Sequence, residues 1–238
     1  MGKGLLFSII INILFVLFGI YVIQKRGGVD YLKIKFNQLT TKNSEPSYSN
    51  KFYKARKKMF EAMPNEPNEI IFLGNSIIEF CNWNELFKKS AIKNRGISGD
   101  VINGIINRLE EITASKPNKL FLMIGTNDLG YKRTVDQILL DYEHLVHLIL
   151  TKTPKTTLYL QSVLPVKNSA NRTNAKIMAI NKGIALLAKK HSLIYINLFD
   201  LFKTENNDLD MNLSYDGLHL NGQGYLIWKE AIIEYVEN

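Results

Sequence analysis

Three polar motifs, far apart in the chain, contain the residue types that nucleophilic catalysis needs. Gly74-Asn75-Ser76 offers a serine hydroxyl, and the glycine permits a sharp turn that exposes it. In Asp216-Gly217-Leu218-His219, the carboxylate can hold the imidazole Nδ1–H while Nε2 faces a serine. Gly125-Thr126-Asn127-Asp128 offers an amide NH2 that can donate to a developing oxyanion. Together these groups suit acyl transfer through a covalent serine intermediate.

Each motif also has an ordinary structural explanation. Ser76 could cap a helix N-terminus, and Asn127 and Asp128 could bond their own backbone in a turn. A lone histidine such as His219 is more often structural than catalytic. The joint occurrence favours a site, because all the motifs fall where a parallel sheet would gather them at one edge, in a workable triad order.

The remaining histidines and the single cysteine predict no metal site. His144 and His147 share one helix face beside Glu143, and we interpret them as solvated or packed because no third ligand of matching geometry is evident. His191 ends a lysine-rich helix, where a cation suits the helix dipole. Cys81 is alone, which excludes an internal disulfide and a multi-cysteine metal site. We expect neither a metal nor an organic cofactor.

Alternating apolar segments and amphipathic segments must position these motifs. The short apolar segments, predicted as strands, are residues 69–73, 91–93, 119–124, 157–161 and 193–197. The helical patterns include residues 51–63, 101–112, 135–151 and 175–190. This alternation predicts an α/β fold, a three-layer α/β/α sandwich around a five-stranded parallel sheet. Ligands of such sheets bind beyond the carboxyl ends of the strands, where the motifs lie.

The first fifty residues predict a membrane anchor and a tether. Residues 5–23 are uncharged and, as a helix, span roughly 28 Å, close to the bilayer hydrocarbon thickness. A cleaved signal peptide is the alternative, but no small-x-small cleavage site follows the segment. We therefore predict an anchor at residues 1–24, a tether at 25–50 and one catalytic domain at 51–238. Basic residues after the span favour a cytoplasmic domain, whereas a short N-terminal tail also suits an exported enzyme, so the side stays open.

The net charge of +8 does not predict nucleic-acid binding. Residues 1–50 carry +4 of it around the apolar segment, and the other 188 residues carry +4 without a dense basic cluster. A membrane surface explains this distribution better than DNA or RNA does.

With the motifs taken together, the chain resembles the SGNH (GDSL-type) hydrolase superfamily, which has four blocks carrying Ser, Gly, Asn and His. Three blocks correspond to the motifs above, and Arg95-Gly96-Ile97-Ser98-Gly99-Asp100 resembles the remaining one. The blocks come in family order from about residue 69 onward. The resemblance implies a flavodoxin-like fold and a cofactor-independent ester hydrolase.

The resemblance also implies a role for each matched residue. Ser76 would be the nucleophile, His219 the base and Asp216 the group that orients the base. The oxyanion hole would comprise the backbone amides of Ser76 and Gly99 and the side chain of Asn127. Gly96 competes with Gly99, which we prefer because it directly precedes Asp100. The usual aspartate of the first block is Asn75 here, which alters local electrostatics but not the reaction class.

Substrate and acceptor are less determined by the sequence. The spacing is most similar to compact enzymes resembling platelet-activating-factor acetylhydrolase and bacterial acyl-carbohydrate esterases. We therefore expect a serine esterase that cleaves short acyl esters, such as acetyl esters, of a carbohydrate or lipid. Two alternatives remain: an acyltransferase using the same site, and a catalytically silent, membrane-tethered binding protein.

Overall fold

The computed structural model describes residues 3–25, 28, 47–167 and 169–237. The chain divides into two compact units, Met1–Lys42 and Asn43–Asn238. Most of the expected tether at residues 25–50 lies outside the described residues. A short 3₁₀ turn, Ser47–Ser49, opens the described part of the second unit.

The described part of the first unit is dominated by one apolar helix, α1 (Lys3–Lys25). Its 18-residue window Ser8–Lys25 has a mean hydropathy of 2.0, and none of it is buried within the structure. By length and composition α1 is able to cross a bilayer, and an N-terminal signal sequence has the same character.

The second unit contains a five-stranded, wholly parallel sheet in the order β2-β1-β3-β4-β5. The strands are β1 (Ile70–Gly74), β2 (Ile92–Gly96), β3 (Lys119–Met123), β4 (Thr157–Gln161) and β5 (Ile194–Ile196). The chain leaves β1 for β2 on one side and later returns to β3 on the other side. Such a change of direction opens a crevice at the carboxyl ends of β1 and β3, which is where ligands bind in these sheets.

Helices cover both faces of the sheet. They are α2 (Lys51–Ala62), α3 (Ser76–Glu79), α4 (Trp83–Phe87), α5 (Ile102–Asn107), α6 (Leu109–Thr113), α7 (Thr126–Gly130), α8 (Val135–Lys152), α9 (Asn174–Lys190), α10 (Phe199–Phe202) and α11 (Gly222–Glu237). The predicted α/β fold with a five-stranded parallel sheet is confirmed.

Alternation along the central strands supplies one core on each face of the sheet. Ile71 and Leu73 pack with the buried residues of α5, α8 and α9, whereas Ile70 and Phe72 pack with those of α3, α4 and α11. On the second face, Phe72 stacks on Trp83 with ring centroids 4.2 Å apart. Strands buried on both faces read as continuous apolar runs, which is why β1 and β3 were recognisable in the sequence.

The prediction for β2 was wrong in extent, because residues 91–93 cover only its beginning. The strand continues through polar residues to Gly96 at the edge of the sheet. Neighbouring groups provide hydrogen-bond partners for these polar side chains. Asn94 Nδ2, for example, donates to the carbonyls of Ile78, Glu79 and Cys81 at 2.9–3.1 Å. A polar strand of this kind has no apolar run to reveal it.

The helix predicted at residues 101–112 is two helices, α5 and α6, which meet at Arg108 with φ −114° and ψ 17°. The fully buried Arg108 side chain donates to the carbonyls of Gly74 and Arg95 at 3.3 and 2.8 Å. These hydrogen bonds to distant residues hold Arg108 in its non-helical conformation, so α5 and α6 do not continue into one helix. The other predicted helix and strand boundaries differ from the observed ones by at most one residue.

Candidate active site

The structure brings a hydroxyl, an imidazole and a carboxylate together at the carboxyl edge of the sheet. Ser76 is the first residue of α3, directly beyond β1, while Asp216 and His219 lie in the loop before α11. Ser76 Oγ lies 2.9 Å from His219 Nε2, and His219 Nδ1 lies 2.6 Å from Asp216 Oδ2. In this arrangement the imidazole can take a proton from the serine while the carboxylate fixes its tautomer.

The turn that presents Ser76 depends on the two residues before it. A Cβ on Gly74 would lie 2.3 Å from the carbonyl oxygen of Met123, so β1 and β3 approach too closely there for any side chain. Asn75 caps α3, because its Oδ1 accepts the Ile77 N–H at 3.0 Å. The explanation of Ser76 as a capping residue is therefore wrong. Its hydroxyl is available to the histidine.

The loop carrying the acid and the base is fastened by its own short bonds. Asp216 Oδ1 accepts the backbone N–H groups of Leu218 and His219 at 2.9 and 2.7 Å. Desolvation opposes ionisation of Asp216, but these N–H groups and the His219 side chain outweigh it and place the carboxyl pKa below its ordinary value. Ser214 Oγ donates to the His219 carbonyl at 2.6 Å and accepts the Gly217 N–H at 2.9 Å. The carboxylate thus stays charged toward the imidazole.

Two backbone donors lie in the segments predicted for an oxyanion hole. As the first residue of α3, Ser76 has an N–H without an intrahelical partner. Gly99 adopts φ +79°, a left-handed conformation that favours glycine. The N–H of the competing Gly96 is already donated to Asn94 Oδ1 at 2.9 Å. Gly96 instead makes room for α3, because a Cβ there would lie 2.3 Å from the Glu79 nitrogen.

The Asn127 side chain is held with its amide nitrogen toward the loop that contains Gly99. Its Nδ2 donates to the Asp100 carbonyl at 3.0 Å, and one amide hydrogen remains for another acceptor. On the other side, Arg172 Nη2 lies 3.5 Å from Asn127 Oδ1, and Arg172 Nε donates to the Thr126 carbonyl at 3.1 Å. The explanation of Asn127 as a self-bonding turn residue is wrong, because its bonds go to distant segments.

Buried ion pairs support the loops beneath the site. Asp100 and Arg108 have fully buried side chains, with Oδ2 2.9 Å from Nη2. Burial raises the pKa of Asp100 to about 6 against the opposing effect of Arg108. Asp128 pairs with Arg133 at 3.0 Å, and burial raises its pKa to about 7 despite that partner. These carboxylates lack access to solvent, so they act as structural supports for the neighbouring donors.

Two exposed aromatic residues flank the His219 imidazole. The Phe80 ring lies 5.0 Å from it, centroid to centroid, and the Tyr215 ring stacks on it at 5.8 Å. Both side chains are at least half exposed, at 50% and 60%. They provide an apolar rim beside the group that would protonate a leaving alcohol.

The other histidines lie on or at the end of the long helices α8 and α9, and the cysteine is buried. His144 and His147 are on α8, and His191 caps the C-terminus of α9. Within the described ranges, no cluster of three or more His, Cys, Asp or Glu side chains has the arrangement of a metal site. Cys81 is buried, and burial raises its thiol pKa to about 12.

A model of the GDSL-like lipase/acylhydrolase family matches residues 72–227, more than half of the chain. The chain belongs to this family. It is therefore a hydrolase, and the predicted resemblance to SGNH (GDSL-type) enzymes is confirmed.

Named relatives of this GDSL-like chain agree with that assignment. Human platelet-activating factor acetylhydrolase IB subunit alpha2 is 26% identical over an alignment of 176 residues, which covers 70% of this chain and 75% of the relative. A Streptococcus pneumonia protein described as a platelet activating factor is 29% identical, with a TM-score of 0.72, covering 78% and 93% of the two chains. A GDSL-like lipase from Bacteroides thetaiotaomicron is 25% identical, with a TM-score of 0.68, covering 78% and 97%.

Sequence reasoning missed several supporting residues of this GDSL-like site. Arg108 and Arg172 contact the segments that carry the proposed donors, and Glu79 accepts the Ser98 N–H at 2.7 Å. Each is a single charged residue with no motif spacing around it. The one available signal was an arginine among the apolar residues of a helical pattern, as at Arg108.

Proposed function

We propose that the chain is a serine esterase that cleaves short-chain acyl esters, of which acetyl is the prototype, from a carbohydrate or lipid. The proposal is carried by one observation: Ser76 Oγ, the His219 ring and the Asp216 carboxylate form a continuous relay with separations of 2.9 and 2.6 Å. Asp216 also accepts two backbone N–H groups, so the relay is fixed on the acid side before substrate binds.

In the first half-reaction, Ser76 Oγ attacks the ester carbonyl carbon while His219 Nε2 takes the hydroxyl proton. The Ser76 and Gly99 N–H groups and the free hydrogen of Asn127 Nδ2 donate to the resulting oxyanion. The tetrahedral intermediate collapses, the bond to the leaving oxygen breaks, and His219 returns its proton to the leaving alcohol. Water then attacks the acyl-serine with His219 again as base, which releases the acid and restores the hydroxyl.

The choice of a short acyl group is supported by the relatives. The curated relatives carry the name acetylhydrolase, and this chain covers 75% of the human protein's length. The exposed Phe80 and Tyr215 beside His219 supply an apolar surface where the leaving alcohol of a sugar or lipid would lie.

The proposal includes a single-pass membrane anchor. The support is α1, with a mean hydropathy of 2.0 over Ser8–Lys25, followed by no small-x-small cleavage motif. Residues 1–24 would be the anchor, 25–50 the tether and 51–238 the hydrolase domain. Extraction of the full-length chain with detergent but not with carbonate would support the anchor, and a shortened mature N-terminus would contradict it.

The direct test is hydrolysis of p-nitrophenyl esters of increasing acyl length by the full chain and by Ser76→Ala. We expect the highest turnover on acetate and none above background for Ser76→Ala. Ser115→Ala is a matched control, because the buried Ser115 hydroxyl has no hydrogen-bond partner within the described structure. Undiminished turnover by Ser76→Ala, or no turnover by the wild type, would refute the proposal. Sugar acceptors added to the same assay test the acyltransferase alternative. An acyltransferase would produce acylated sugar in place of free acid.

A further inference from the structure

Helix α2 (Lys51–Ala62) lies outside residues 72–227, the range that matches the family, yet it is bound tightly to the same compact unit. Its Tyr53 and Phe60 are 2% and 4% exposed. Tyr53 Oη donates to the Gly104 carbonyl at 2.7 Å. The centroid of the Phe60 ring lies 4.8 and 4.9 Å from the guanidinium carbons of Arg56 and Arg95.

A chain of polar contacts leads from this helix to the site. Arg56 Nε lies 3.0 Å from Glu79 Oε1, with side chains only 26% and 13% exposed, and the contact is an ion pair without the alignment of a hydrogen bond. The other oxygen, Glu79 Oε2, accepts both the N–H of Ser98 at 2.7 Å and its hydroxyl at 2.5 Å. One carboxylate therefore joins α2 to the loop after β2.

The position of Glu79 connects this series of polar contacts to the proposed catalytic residues. Glu79 is the last residue of α3, the short helix that begins with Ser76. Ser98 directly precedes Gly99, and the loop is closed by a bond from the Asp100 N–H to the Ile97 carbonyl at 3.0 Å. Glu79 therefore fixes the Ile97–Ser98 peptide plane and the Ser98 side chain, one residue before the Gly99 N–H, relative to the helix that carries the nucleophile.

We propose that Arg56 and Glu79 are positioning residues, and that α2 is a built-in part of the active-site scaffold that holds the Gly99 N–H in register with Ser76. Arg56 keeps the Glu79 carboxylate turned inward, and Glu79 holds Ser98. Neither residue touches the substrate. This role presupposes the proposed function, because it acts on a donor of the oxyanion hole.

The test measures kcat and KM for p-nitrophenyl acetate with full-length Arg56→Met, Arg56→Lys and Glu79→Gln. Loss of a whole oxyanion donor lowers kcat about 10²–10³-fold, so a displaced donor in Arg56→Met should lower it about tenfold, with KM little changed. Arg56→Lys retains the charge but loses the planar guanidinium that lies against Phe60, so its kcat should fall between those of Arg56→Met and the wild type. Glu79→Gln, which keeps its size and weakens both contacts, should resemble Arg56→Met.

Lys57→Met is the matched control. Lys57 is as exposed as Arg56, at 27%, and donates to the Asn107 carbonyl at 2.9 Å, so it also fastens α2 but does not reach Ser98. Its kcat should equal the wild-type value. An unchanged kcat in Arg56→Met, or an equal loss in Lys57→Met, would overturn the positioning role. If Arg56→Met does not fold, Glu79→Gln decides, and a wild-type kcat there overturns the role. Turnover by Ser76→Ala would instead refute the proposed function itself.

Discussion

The Asn127→Ala substitution distinguishes the structural contribution of the Asn127 amide from its proposed catalytic contribution. The substitution removes the bond from Nδ2 to the Asp100 carbonyl, 3.0 Å long, in a side chain only 8% exposed. It also removes the second amide hydrogen, which the mechanism directs at the oxyanion. The methyl group of alanine replaces neither donor.

The two losses have different sizes and appear in different measurements. A buried carbonyl left without its partner costs about 1–3 kcal/mol of the free energy of unfolding. An absent oxyanion donor raises the activation barrier by about 2.7–4 kcal/mol, which is about 10²–10³-fold in kcat. Since the neighbouring backbone donors remain, activity should fall within that range and should not vanish.

The assay pairs kcat for p-nitrophenyl acetate with urea unfolding. Asn181→Ala is the control, because Asn181 is equally buried and its amide bonds the Val163 backbone N–H and carbonyl at 2.8 and 2.9 Å. It should lose at least as much stability as Asn127→Ala yet retain kcat. A loss of less than about threefold in folded Asn127→Ala, against the expected 10²–10³, would remove Asn127 from the oxyanion hole.

Further substitutions test the relay and its supports. Asp216→Asn should lower kcat about 10⁴-fold in a folded protein, because the amide favours the wrong imidazole tautomer, and a kcat within tenfold of the wild type would contradict the relay. Arg108→Met leaves the fully buried Asp100 carboxylate unpaired and should reduce the free energy of unfolding in urea by about 3–5 kcal/mol; an unchanged midpoint would contradict this. Gly96→Ala places a Cβ 2.3 Å from the Glu79 nitrogen and should destabilise the fold by about 1–3 kcal/mol in the same assay. Burial raises the pKa of Asp128 to about 7 in the folded state, whereas an unfolded aspartate titrates near 3.9, so the folded state binds this proton more tightly. The stability of the wild type relative to Asp128→Asn should therefore fall as the pH rises from about 4 to about 7, and a difference independent of pH would contradict the shift.

The sequence predicted those parts of the fold that depend on local pattern. β1 and β3 are continuous apolar runs, and each leads into a motif at its carboxyl end, so their place beside the site followed from the parallel topology. The relay residues are far apart in sequence, but each belongs to a block with its own spacing. The family resemblance then linked the blocks.

The parts that sequence reasoning missed depend on contacts between distant residues. β2 continues through Asn94 because its amide finds three carbonyls of another segment. The predicted long helix breaks at Arg108 because that guanidinium is bonded to carbonyls on two strands. Neither contact produces a periodic pattern in the sequence. A single polar residue reads the same in a sequence whether its side chain faces solvent or bonds to a buried carbonyl.

The acid and the base are separated by only two residues and share a loop that is bonded to itself. If that loop shifts as a body, the 2.6 Å contact between Asp216 and His219 moves with it, and of the two contacts in the relay only the 2.9 Å one to Ser76 changes. Catalytic competence then varies along a single coordinate, the distance across one hydrogen bond. A displaced loop would stop catalysis reversibly, because the Asp216–His219 pair stays formed and only the contact with Ser76 has to be made again.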